Sequence, residues 1–162
     1  VQQGGVGIRA VTFGRVQDYQ IKDINNMGAA MAPAAYATIK AHFDDMKTTP
    51  EDFDLIVTGD LGQLGKEMLL ELARRDGVSL GGKLTDCGTM VFDNDKQDVH
   101  AGGSGCGCSA ITLCGYLLGQ LNGGKLKKIL FCGTGALLSP TSTQQGLPIP
   151  GVCHAVCIAG GT

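Results

Sequence analysis

The sequence predicts an α/β layered domain, and three observations predict it. Short β-branched apolar runs alternate with longer segments of helical periodicity, an order that builds a sheet covered by helices. Two strand-to-helix junctions, "VTGDLGQLG" at Val57–Gly65 and "AGGSGCGCSA" at Ala101–Ala110, are dense in glycine. Glycine reaches 26 of 162 residues while Trp is absent and aromatics are 5%, a composition suited to close backbone packing and tight turns.

The first strand is "IRAVTFGRV", Ile8–Val16, by its alternation. In "INNMGAAMAPAAYATIKAHFDDM", Asn25 and Asn26 are candidate caps of an Ala-rich helix that ends about Met46. Pro33 predicts that the regular helix starts near it, after a turn. "TTPEDFD" is a Pro-led loop into a short buried strand, Asp54 to Thr58. "LGQLGKEMLLELARRDG" then reads as a helix ending at Gly77, with Arg74 and Arg75 in its last turn where cations suit the dipole. Val78 to Val99 is rich in Gly and Asp, and only short strand pieces are expected there.

The helix after the glycine-rich loop is predicted from Ala110, Leu113, Cys114, Leu117, Leu118 and Leu121, a stripe at i, i+3, i+4, i+7, i+8 and i+11. Asn122, Gly123 and Gly124 stop it. "KKILFCGTGALL" predicts a strand that turns at Gly133 and Gly135, and "GVCHAVCIA" a final strand. No internal repeat, low-complexity stretch or linker divides residues 1–162, which are read as one unit.

Apolar residues are 43%, charged residues 17%, and the formal charge is −2, so the chain is globular and carries no electrostatic case for nucleic acid. The basic run "KLKK", Lys125–Lys128, reads as a solvated lead into a strand. There is no apolar run of the roughly 18 residues a membrane span needs and no signal peptide at the start. The chain opens without Met, as a fragment or a processed piece would. Seven cysteines, an odd number in apolar surroundings, predict buried, inert thiols in a reduced compartment.

Four chemistries suit the loop at 101–110. A metal site would draw on Cys106, Cys108, Cys114, Cys87 and His100, but the two ligand pairs of structural zinc are missing, and Cys114 belongs to the apolar stripe. A nucleophile would be Cys106 or Cys108, helped by a helix N-terminus and by His100 or His154. An anion cradle would use main-chain N–H groups of Gly102–Gly107, although the pattern is not that of a nucleotide P-loop. The fourth reading is a packing corner that binds nothing, and the residues leave it level with the cradle. His42 reads as a surface or boundary residue and His154 as a satisfied core histidine. Asp60 is a helix cap by default and a polar group at a pocket mouth otherwise, because ligands of α/β layers favour the carboxyl ends of strands.

At these junctions the sequence resembles the C-terminal half of thiolase-fold proteins, β-ketoacyl-acyl-carrier-protein synthase III among them. That fold joins two similar halves, each a mixed β-sheet flanked by helices, into five αβαβα layers. The resemblance implies a His of the condensing enzymes at about Gly59, their Asn at about Gly107, and the loop His of thiolases near Ser104. None of the three positions holds that residue type, so no catalytic residue is expected in this chain. A closer resemblance rests on "IKDINNMGAAMAPAA", "DLIVTGDLGQLG", "LTDCG", "AGGSGCGCSA" and "GTGALLSPTSTQQ", which are similar to the stage V sporulation protein AD family of spore formers.

That resemblance implies a non-enzymatic protein about twice as long, which binds dipicolinic acid and works with stage V sporulation membrane proteins. It implies a place in the developing spore, peripheral to the inner membrane, with no transmembrane segment. The expected ligand site is Asp60 with Gly103, Ser104, Gly105, Cys106, Gly107 and Cys108, holding dipicolinate directly or as its calcium chelate. No cofactor and no resident metal are expected. The expected partners are dipicolinic acid, the membrane proteins, the N-terminal half of the same protein and, in a homodimer, a second copy. The runner-up is a condensing or acyl-transfer enzyme whose nucleophile lies in a missing N-terminal half, and a purely structural subunit is a third class.

Overall fold

The computed structural model describes residues 5–161. Residues 1–4 and 162 of the 1–162 unit lie outside the described ones. Five strands form one sheet in the order β1-β5-β4-β2-β3. They are β1 (Gly7–Thr12), β2 (Leu55–Thr58), β3 (Leu84–Asp86), β4 (Lys128–Ala136) and β5 (Gly151–Ala159). β2 pairs parallel with β3 and β4, and β5 pairs antiparallel with β4 and β1, so the sheet is mixed.

Period-two alternation sends the strand side chains to two different cores. Ile56, Leu130, Cys132, Cys153, Ala155 and Cys157 face α1 (Met27–Met46) and α2 (Gly62–Arg75). Val57, Ile129 and Ile158 face the opposite layer, where Cys108, Leu117 and Leu121 lie. That layer contains α3 (Cys87–Met90), α4 (Cys108–Thr112), a π turn (Leu113–Leu117) and α5 (Leu118–Asn122).

α1 begins six residues before Pro33, at Met27, because Asn26 caps it: its side chain accepts from the Ala29 N–H at 3.2 Å. The pyrrolidine ring forgoes one hydrogen bond, and the buried Ala30–Ala35 face holds the helix to the sheet across that gap. β1 stops at Thr12, short of the expected Val16. Phe13 is 83% exposed there, and the Gly14 N–H bonds to His154 Nδ1 at 3.1 Å. β4 does not turn at Gly133 or Gly135. It runs on to Ala136 because β5 pairs with it through Gly133↔His154 and Gly135↔Val152. α6 (Pro140–Gln144), capped by Ser139, is a helix that the apolar pattern did not signal.

The expected stripe of the third helical segment is out of phase with what is buried. Cys108, Thr112, Leu117 and Leu121 are buried, while Ala110 and Cys114 are exposed. The steps are four, five and four residues, and the step of five is the π turn, which inserts one residue into the repeat. A constant 3.6-residue period cannot register that insertion.

Candidate functional site

The two glycine-rich junctions meet at the carboxyl end of β2, and two aspartates shape that meeting. Asp86, at the end of β3, is fully buried. Its carboxylate accepts from Thr58 Oγ1 at 2.7 Å, from the Leu61 N–H at 2.8 Å and from the Gly62 N–H at 3.0 Å. It therefore caps α2 from the neighbouring strand, satisfying N–H groups that the helix itself leaves open. Burial pushes the Asp86 carboxyl up, and the donors around it act in the opposite direction. Sequence reasoning missed this residue and gave the cap to Asp60. The available signal was a lone Asp closing the short strand in "LTDCG".

Asp60 makes a different set of bonds. One carboxylate oxygen accepts from Ser104 Oγ at 3.0 Å and from the Gly105 N–H at 3.3 Å, and the other accepts from Thr134 Oγ1 at 3.1 Å. The Thr134 hydroxyl in turn accepts from the Asp60 N–H at 3.1 Å. Asp60 thus ties the end of β2, the glycine-rich loop and β4 together, and three of its acceptor sites are used within the protein.

The loop divides into two parts. In its first part Gly103 donates to Gly88 O at 2.8 Å. A Cβ on Gly88 would fall inside contact distance of Gly103 O and 2.9 Å from Asp86 Oδ1, and one on Gly103 would meet Phe92 at 2.9 Å. This part is the packing corner. In its second part a Cβ on Gly105 would meet nothing within 4 Å, and one on Gly107 only Ile111 Cδ1 at 3.7 Å. Gly105 has φ +113, which calls for glycine on conformational grounds. Gly107, at φ −95, needs glycine for neither reason.

Beside the second part lies a cavity of about 380 Å³, within the roughly 300–1,000 Å³ of small-molecule sites. Asp60, Ser104, Gly105, Cys106, Ser109 and Thr134 line its polar side, and Met27 and Met31 of α1 with Ala136 line its apolar side. No lining residue is cationic. Of the seven residues expected to form a site, Asp60, Ser104, Gly105 and Cys106 are on this wall. Gly103 sits under the loop, Gly107 faces Ile111, and Cys108 is buried with its Sγ 4.0 Å from Gly59 O. Met27 and Met31 escaped the sequence reading, since on an Ala-rich helix they resemble ordinary core.

Five thiols are buried, as expected, but Cys106 and Cys114 are exposed, and all seven are free. Burial pushes Cys108 up, with the Asp60 charge adding to it, and pushes Cys87 up to about 12. Both shifts disfavour the thiolate that a nucleophile needs. Among the described residues no three His, Cys, Asp or Glu side chains converge. His100 is exposed, 3.6 Å from Asp98. His42 is 1% exposed, against the boundary position expected of it, and Thr12 Oγ1 meets its Nδ1 at 2.8 Å. Burial lowers its pKa, with Lys128 adding to the effect. His154, expected in the core, is exposed on the sheet face and edge-on to Phe13.

Residues 1–159 match the family described as stage V sporulation protein AD. The chain belongs to the stage V sporulation protein AD family. Its relative of that name in Bacillus subtilis (strain 168) is 46% identical over 160 residues, which are 98% of this chain and 47% of the relative. The chain therefore spans about half the length of the curated relative it matches. Among solved structures, a 3-oxoacyl-(acyl-carrier-protein) synthase III is 12% identical with a TM-score of 0.54, over 98% of this chain and 51% of that one. OleA of Xanthomonas campestris is 10% identical with a TM-score of 0.52, over 99% of this chain and 60% of that one. At such identities the likeness speaks for the fold alone, and that fold is thiolase-like. Among the described residues no helix is long and apolar enough to cross a membrane.

Proposed function

We propose that this family member is half of a non-catalytic dipicolinate-binding component of the spore dipicolinate uptake apparatus, with the ligand at the Asp60 cavity. The observation that carries the non-catalytic part is at Gly59, where the thiolase resemblance puts the His of condensing enzymes. A Cβ there would lie 2.6 Å from Thr134 Oγ1, closer than Cβ atoms come, and 3.0 Å from Thr134 N, which is tight. The Thr134 hydroxyl is hydrogen-bonded to Asp60, so making room means disturbing that pair. General acid–base chemistry needs a positioned proton carrier, and at that position this junction holds a closely packed glycine.

The cavity suits a small, flat, polar-edged ligand: methionines line one wall, and hydroxyl, thiol and main-chain groups line the other. A dicarboxylate dianion beside Asp60, with no cation in the lining, needs its charge offset from elsewhere. Calcium, water or the remainder of the longer protein supplies that. The same remainder is the partner we assign to the outer face of α4 and the π turn, where Ile111 is 67% and Tyr116 52% exposed. The test is calorimetric titration of dipicolinate, with and without calcium, into this chain and into a version extended to the relative's full length. Saturable heat from the extended version supports the reading. Heat from neither version overturns it and leaves a structural subunit, for which acyl-thioester turnover is the next assay.

A further inference from the structure

A wider cleft, about 750 Å³, lies at the opposite end of the sheet, where β1 and β4 begin and β5 ends. Arg9, Lys127 and Lys128 line it together with Leu121, Leu126 and Gly160, and among the described residues no carboxylate is in its lining. Three placements make it more than a scatter of surface charge. Arg9 is the extra residue of a β-bulge, since Ile8 pairs with Ile158 and Ala10 with Cys157, and bulges re-aim side chains. Its guanidinium donates to Gly160 O at 3.3 Å, an exposed contact at the rim of the cleft. The Lys128 ammonium is held 4.6 Å from the centroid of the Phe53 ring.

None of the three cations is in an ion pair among the described residues. The carboxylate of Asp54 is spent on the main-chain N–H groups of Lys127 and Lys128, at 2.6 and 2.9 Å. Burial pushes the Cys157 thiol up, and Lys128 and Arg9 both pull it back, so the two fields overlap on β5. A forked guanidinium and two lysines in the lining of one cleft suit a tetrahedral oxyanion with several acceptor oxygens.

We propose that the Arg9–Lys127–Lys128 cleft is a binding site for a phosphate-bearing anion. This is independent of the dipicolinate reading and uses residues that reading leaves idle. The phosphate has two possible sources, a free phosphate compound and a phospholipid headgroup, and the test has one arm for each. In the first arm pyrophosphate is titrated into the 162-residue chain and followed by amide NMR. In the second the chain is sedimented with vesicles of phosphatidylglycerol or of phosphatidylcholine. Saturable binding is expected in at least one arm. Arg9→Gln, Lys127→Gln and Lys128→Gln should each weaken it about 3- to 10-fold, and Lys66→Gln, a cation in the first turns of α2 at the opposite end of the sheet, should leave it unchanged. Pyrophosphate binding alone assigns the site to a free phosphate compound, and retention on phosphatidylglycerol but not phosphatidylcholine assigns it to a headgroup. Lys127→Gln removes no side-chain hydrogen bond or ion pair among the described residues, so it remains informative if the Arg9 or Lys128 variant is unstable. No binding in either arm, or equal weakening by Lys66→Gln, overturns the proposal.

Discussion

The two ends of the sheet present opposite chemistries to solvent. At the carboxyl end of β2 the cavity is lined by Asp60, hydroxyls, a thiol and methionines, without a cation. At the other end the cleft is lined by Arg9, Lys127 and Lys128, without a carboxylate. The acidic end is the more heavily built: Asp60 and Asp86 tie β2, β3, β4, α2 and the glycine-rich loop together. The basic end has a bulge at Arg9, and the Asp54 carboxylate binds the main-chain N–H groups of Lys127 and Lys128. The end with the supported cavity lacks the charge that attracts an anion, and the end with the charge is the wider cleft. A dianion bound at the shaped end therefore requires a counter-charge that this chain does not itself provide.

Substitutions sharpen the contrast, and the largest effects belong to the supported end. Gly88→Ala drives a methyl into Gly103 O and should cost about 3 kcal/mol or more in chemical denaturation. Asp86→Ala strands buried donors at the start of α2 and should cost a similar amount. Asp60→Ala frees the loop from partly exposed partners, and about 1 kcal/mol is expected. Within the loop, Gly107→Ala should be stability-neutral to within about 1 kcal/mol, and Cys106→Trp, on the cavity wall, should weaken dipicolinate while the fold survives. Unchanged dipicolinate affinity in a folded Cys106→Trp variant would separate the loop from the site.

Smaller effects test the chemistry of each end. Maleimide should label Cys106 and Cys114 in the native protein and all seven thiols in denaturant, as read by intact mass. Dipicolinate should slow labelling of Cys106, on the cavity wall, and leave Cys114 unchanged; equal protection of both would argue for a global effect. His42 lies beneath the basic end, and its proton affinity is lowered by burial. The unfolded chain then binds more protons than the folded one, so His42 favours folding above the ordinary imidazole pKa. That contribution is lost as pH falls through the depressed folded value. The melting temperature should fall between pH 7 and pH 5, and a His42→Gln variant should show a shallower fall; parallel curves would contradict this.

Much of the fold was legible in the sequence because the buried strands are short apolar runs bounded by glycine, and α2 carries its stop signals. The failures have local causes. Pro33 argued for a late helix start, but the cap at Asn26 and the buried alanine face outweighed one lost hydrogen bond. The π turn moved the buried stripe by one residue, which exposed Cys114. Gly133 and Gly135 suggested a turn, yet cross-strand pairing with β5 carried the strand through them. At the site, cradle and corner stood level in the loop's residues: Gly88 and Gly103 make a packing corner, while a side chain at Gly105 would meet nothing within 4 Å. Met27 and Met31 could not be found from spacing, since only the packing of α1 brings them to the loop. The cap expected of Asp60 falls to Asp86, because a cap supplied from the neighbouring strand is not marked by its distance along the chain.

The most direct test of the account is hydrogen exchange of the full-length form with saturating dipicolinate, followed by mass spectrometry of its peptides. The account predicts slowed exchange in the peptides of Asp60–Gly62 and Ser104–Ser109 and none in those of Lys125–Lys128 and Ile158–Gly161. Protection at the second pair without the first would place the dianion at the basic end and contradict the assignment of the Asp60 cavity.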